Sequence, residues 1–237
     1  GLPTDGASVP LVVLLHGVIF DGQRHHWLTR DPAGPWDARP VLAELVDDRK
    51  VPPLVAAAAS QTRDAEIPSA IFAGFSLERF VDAVDLALSP LQTVDRSKVV
   101  VLVHSAAACN ADSPMLAVLR SSIEPLALMA VDGCLSSDDA RALARTQHAR
   151  TVVSTYQTAV WPRSFDEYRL TWEHTLASSP RSETVHLLER VPLGGEDAHV
   201  LLVLETLRAH LPRVLPAFES GSTPRDVGQA AGTGSLP

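Results

Sequence analysis

The sequence predicts an α/β protein, a mostly parallel sheet of about six strands with helices on both faces. Three observations carry this. Short apolar runs without polar alternation, Leu11–Leu15 (LVVLL), Val99–Val103 (VVVLV) and Leu126–Val131 (LALMAV), read as strands buried on both faces. These runs alternate with helical patterns, which implies βαβ units and right-handed crossovers. Polar residues with chemical potential stand just past the strand ends: His16-Gly17, Gln61, Ser105, Asp132, Gln157 and His199. In parallel sheets, sites form outside the carboxyl ends of the strands.

The elements follow in order. Residues 1–9 are polar and loop-like, an N-terminal extension to a domain over 10–213. Leu11–Leu15 runs straight into His16-Gly17-Val18. Ile19–Trp36 is a long connection; such loops are functional or disordered, and Trp27 and Trp36 argue for packing. Arg39–Asp48 reads as a helix with Val41, Leu42, Leu45 and Val46 on one side. Leu54–Ala59 is a strand set between Pro52-Pro53 and a polar loop. Ser76 caps a helix over Leu77–Leu88, which Pro90 stops. After the Val99–Val103 strand, a helix starts in Ala106–Ala108 and ends at or before Pro125. Ser136 or Ser137 caps the next helix. Thr151–Tyr156 is a strand, Phe165–Leu176 a helix and Thr184–Leu188 the last strand. The final helix carries the stripe Val200, Val203, Leu204, Leu207, Leu211 and stops at Pro212. Residues 214–237, rich in Ser, Gly, Thr, Ala and Pro, read as a mobile tail.

Composition narrows the function. A net charge of −8 argues against nucleic acid and anionic membrane surfaces as partners. No apolar run reaches the roughly 18 residues of a membrane span. No Walker A or G-x-G-x-x-G sequence follows a strand, so no nucleotide cofactor is implied. Adjacent His25-His26 on an extended segment point opposite ways, so no metal is expected. Cys109 and Cys134 either pair or remain buried thiols; the sequence leaves both open. The missing Met at Gly1 and the possible cysteine pair favour a secreted or periplasmic location.

Val103-His104-Ser105-Ala106-Ala107 has the plan of a strand, a sharp turn with a serine at its tip, and a helix. That is the plan of a nucleophile elbow, although Val103 and Ala107 stand where Gly-x-Ser-x-Gly has glycine. Together with the early strand entering His16-Gly17, Asp132 at a strand end and Asp197–His199 before the last helix, the chain resembles the α/β-hydrolase family over residues 10–213. The resemblance implies a compact three-layer sandwich. Only Gly133–Arg150 separate Asp132 from the next strand, which leaves no room there for a cap domain.

By that resemblance Ser105 is the nucleophile, His199 the base and Asp132 the acid that orients it, with Asp166 the alternative acid. The oxyanion hole consists of the backbone amides of Ala106 and of Val18 or Ile19. His16, Gly17, Ile19, His104 and Trp27 are expected near the substrate; Arg24, His25, His26 and Trp27 read equally as pocket lining or as a packed loop. The implied function is a serine hydrolase acting on a small-molecule or peptide-like ester. Amide or peptide cleavage by the same residues, or a non-catalytic binding protein on the same fold, remain alternatives. The sequence leaves oligomeric state open.

Overall fold

The computed structural model describes residues 8–18, 27–28, 37–59, 72–109, 113–179 and 182–217. Six strands form one parallel sheet: β1 (Ser8–Leu15), β2 (Val55–Ala58), β3 (Thr93–His104), β4 (Ala127–Val131), β5 (Thr151–Tyr156) and β6 (Val185–Arg190). Their spatial order is β2-β1-β3-β4-β5-β6. The helices are α1 (Arg39–Asp47), α2 (Leu77–Leu88), α3 (Pro114–Leu119), α4 (Ser137–Arg145), α5 (Phe165–Ser178) and α6 (Ala198–Val214). The predicted fold class, an α/β three-layer sandwich with a parallel sheet of about six strands and helices on both faces, is the observed one. Residues 133–150, between β4 and β5, hold α4 and nothing larger.

Period-two alternation divides the core. Val99, Val101 and Val103 face one layer with α2, α3, α4 and α5. Val100 and Leu102 face the other, where α1 and α6 lie. Every residue from Val99 to Val103 has no exposed surface, so the unbroken apolar run is what a strand covered on both sides requires. β3 begins earlier than its apolar run because Thr93 and Val94 pair with Ser8 and Val9 before an irregularity in register.

Local chemistry sets the helix ends. The Ser76 hydroxyl accepts from the Arg79 amide at the start of α2. Ser136, not Ser137, caps α4, and Asp139 reaches back to the Ser136 amide to complete a capping box. Pro212 does not stop α6. It lies inside the helix's last turn, which runs on to Val214; near a C-terminus only one further hydrogen bond is lost. The expected tail from 218 onwards lies outside the described residues.

Glu78 joins α2 to the turn before β4. Its carboxylate accepts from the Ser122 amide (2.5 Å) and from the Ser121 (2.9 Å) and Ser76 (2.8 Å) hydroxyls. The Ser122 amide foremost, then its own amide and Ser76, hold its pKa down at about 2 against an ordinary 4.5. A folded-state pKa below the unfolded one means that this stabilisation is present above about pH 4.5 and fades as pH falls towards 2. Denaturant titrations at neutral pH and at about pH 3 should therefore show a larger loss of stability in wild type than in Glu78→Gln; equal losses would exclude Glu78 as a source of acid lability.

Candidate active site

The carboxyl ends of β1, β3, β4 and β5 meet the start of α6 at one place. β3 ends at His104, and Ser105 follows in the left-handed region at φ 57°. A non-glycine residue there is strained, and such strain persists only where the surroundings enforce it. Three close approaches enforce it. A Cβ on Gly17 would lie 2.7 Å from Ser105 Oγ and 3.2 Å from the Ala106 amide nitrogen, so only glycine fits where β1 leaves the sheet. A Cβ on Gly133 would lie 2.7 Å from the Ala108 carbonyl oxygen, so the β4 loop presses equally closely on the turn. Cys109 and Cys134 form a disulfide with Cα atoms 5.1 Å apart, which resolves the open reading of the two cysteines.

The expected helix after Ser105 is broken. Ser105–Ala108 make a single 3₁₀ turn, Cys109 returns to extended backbone, and α3 begins only at Pro114. The Cys109–Cys134 link accounts for this, because it draws Cys109 to the β4 loop and out of a helical path.

Asp132, at the end of β4, is fully buried. Its Oδ2 accepts from His199 Nδ1 (2.5 Å) and Gln157 Nε2 (2.8 Å), and its Oδ1 from Arg163 Nη1 (3.1 Å). The Arg163 guanidinium also donates to the Gly133 carbonyl at 2.6 Å. A buried carboxylate needs such donors to remain charged. Because Asp132 accepts a hydrogen bond from Nδ1–H, a neutral His199 carries its lone pair on Nε2. His199 sits in the first turn of α6, with its ring centroid 4.3 Å from that of His104, the residue preceding Ser105. Among the described residues no hydrogen bond joins Ser105 Oγ to His199.

The other expected site residues are placed as follows. His104 and Trp27 are interior: His104 Nε2 donates to the His199 carbonyl at 3.1 Å, and the Trp27 ring stands edge-on to His104 at 5.2 Å. Burial foremost, then the neighbouring His199, pushes the His104 pKa well below the ordinary range, so this imidazole stays neutral. His16 is buried, with Nδ1 donating to the Gly17 carbonyl at 2.7 Å. Val18 is half-buried and Ala106 buried. Ile19, Arg24, His25, His26, Trp36 and Gln61 lie outside the described residues. Asp166, the alternative acid, is an exposed residue in the first turn of α5, 3.9 Å from Arg169.

Three neighbours escape the sequence reading as site residues: Gln157, Arg163 and Trp161. The Trp161 ring stands edge-on to His199 at 4.5 Å. Only the position of Gln157 at the end of β5 is a signal. Among the described residues, no group of three or more His, Cys, Asp or Glu side chains could hold a metal ion.

No protein-family model and no curated protein matches the sequence. Among solved structures the chain is similar to a ferulic acid esterase, with a TM-score of 0.58 and 12% identity over 89% of this chain and 86% of that one. It is also similar to a point-substituted form of Arabidopsis thaliana SOBER1, with a TM-score of 0.41 and 14% identity over 85% of this chain and 99% of that one. At these identities the likeness is one of fold.

The disulfide closes a loop of 25 residues between the serine turn and the Asp132 loop. Loop-closure entropy assigns it about 3 kcal/mol. The paired substitution Cys109→Ala/Cys134→Ala should lower unfolding free energy by about that amount. It should also raise amide exchange at Ser105–Ala108 more than in β3. Uniform exchange changes would mean that the link does not hold the turn.

Proposed function

We propose that the chain is a serine hydrolase that cleaves a carboxylic ester through an acyl-enzyme intermediate. The observation that carries this reading is the buried His199–Asp132 pair at 2.5 Å, set beside a serine held at positive φ on a strand end. The likeness to the ferulic acid esterase supports it at the level of fold.

In this reading, His199 Nε2 takes the proton of Ser105 Oγ as the hydroxyl attacks the ester carbonyl. Asp132 fixes the tautomer and stabilises the imidazolium that forms. The tetrahedral oxyanion is held by the amides of Ala106 and of Val18 or Ile19, and Gly17 lets the end of β1 approach the serine turn that closely. Collapse expels the alkoxide, which takes its proton from His199. Water, activated by the same imidazole, then frees the acid and restores Ser105. Gln157 and Arg163 do not touch the substrate in this scheme; they hold the Asp132 carboxylate in place.

The missing hydrogen bond between Ser105 and His199 favours a second reading, a non-catalytic binding protein on the same fold. In unliganded enzymes this bond is often long and tightens on binding substrate, and a covalent probe separates the two readings. A fluorophosphonate should add once to wild type, at Ser105, and not to Ser105→Ala or His199→Ala, as read by intact mass. A folded wild type that stays unlabelled would remove the hydrolase reading. Asp132→Asn should lower kcat on an ester that wild type turns over by about 10³–10⁴-fold with little change in KM, because an amide can donate to Nδ1, which favours the wrong tautomer, and no longer stabilises the imidazolium. A fall of less than about tenfold would move the acid's role to another residue.

A further inference from the structure

Trp161 is half-exposed at the site, and nothing in the proposed reaction uses it. Its relative exposure is 51%, unusual for a tryptophan whose ring also stands against a buried histidine. Its backbone lies in the left-handed region at φ 58°, where a bulky side chain is strained.

The segment that presents it is fastened at both ends to one carboxylate. Gln157 Nε2 donates to Asp132 Oδ2 at 2.8 Å, while Gln157 Oε1 accepts from the amides of Ala159 (2.6 Å) and Val160 (2.8 Å). At the other end Arg163 donates to Asp132 Oδ1 at 3.1 Å, and its guanidinium lies 5.2 Å from the Trp161 ring centroid. The indole is thus a preorganised apolar surface, held against the imidazole and open to solvent. A rigid aromatic side chain with an exposed surface is suited to stacking another ring at little entropic cost.

Resting on the serine hydrolase reading, we infer that Trp161 is a specificity-determining residue that stacks an aromatic ring carried by the ester. Ala159, Val160 and Pro162 flank it and add no hydrogen-bonding side chain, which favours an aromatic ring over a saccharide with hydroxyls to satisfy.

The test compares methyl phenylacetate and benzyl acetate, which carry the ring on the acid or the alcohol, with methyl hexanoate, which has none. Wild type should prefer at least one aromatic ester. In Trp161→Ala the ratio of its kcat/KM to that of the hexanoate should fall about tenfold, mainly through KM, and Trp161→Phe should restore most of it. A merely structural role would lower all three esters by one factor, and that result would overturn the inference. Calorimetry on Ser105→Ala with the same esters gives a readout independent of turnover. Tighter binding of the aromatic ester, lost in Ser105→Ala/Trp161→Ala, supports the stacking role; equal binding of all three overturns it. An unlabelled, inactive wild type that still shows the ring preference would sink the hydrolase reading and leave the stacking site standing.

Discussion

The site depends on one buried charge. Asp132 has no exposed surface, so its carboxylate is retained only because His199, Gln157 and Arg163 supply donors to both oxygens. Those donors come from α6 and from the segment that joins β5 to α5. Satisfying this carboxylate therefore fixes where the start of α6 and the segment between β5 and α5 lie over the sheet. The arrangement is reciprocal: the carboxylate orients the imidazole, and the groups that solvate the carboxylate hold the walls around it. Removing Arg163 or Gln157 would leave an under-solvated charge in the interior, a larger cost than one lost surface contact.

The turn that carries Ser105 reaches its geometry with no glycine of its own. The outer positions of the usual pattern are Val103 and Ala107, and both are fully buried. The Val103 side chain belongs to the core shared with α2 and α3. The close approaches are made by glycines elsewhere in the chain, Gly17 from the β1 loop and Gly133 from the β4 loop. The steric requirement of the serine turn is thus met by the neighbours that pass over it, and a local pattern match underestimates it for that reason.

The same distinction explains what can be read from the sequence. Unbroken apolar runs place β1, β3 and β4, because a strand covered on both faces has no polar positions to confuse the signal. Strand-end polar residues then place Ser105, Asp132 and His199 on one rim without any knowledge of side-chain contacts. Interactions that depend on which atoms meet across the fold are not legible. Arg163 lies 31 residues from Asp132, in a Trp-Pro-Arg-Ser stretch with no periodicity, and nothing local marks its guanidinium as the partner of a buried acid. His104, at a strand end, and Trp27, in the long loop after β1, are both interior, and sequence has no measure of that depth. The break after Ala108 is hidden because it is imposed by Cys134, 25 positions along the chain from Cys109.

Gln157 shows how the buried Asp132 constrains the rest of the rim. It stands just past the end of β5, the strand after the one that Asp132 follows. Its amide nitrogen lies 2.8 Å from the same Oδ2 that accepts from His199. A carboxylate at this position would set two negative charges against one imidazole in a buried site, and one of them would have to protonate. An amide avoids that conflict, donates to the carboxylate with its nitrogen and still folds the following loop with its oxygen. With Asp132 at the end of β4, the end of β5 needs a neutral donor of about carboxylate size, and glutamine meets that need while building the loop that holds Trp161.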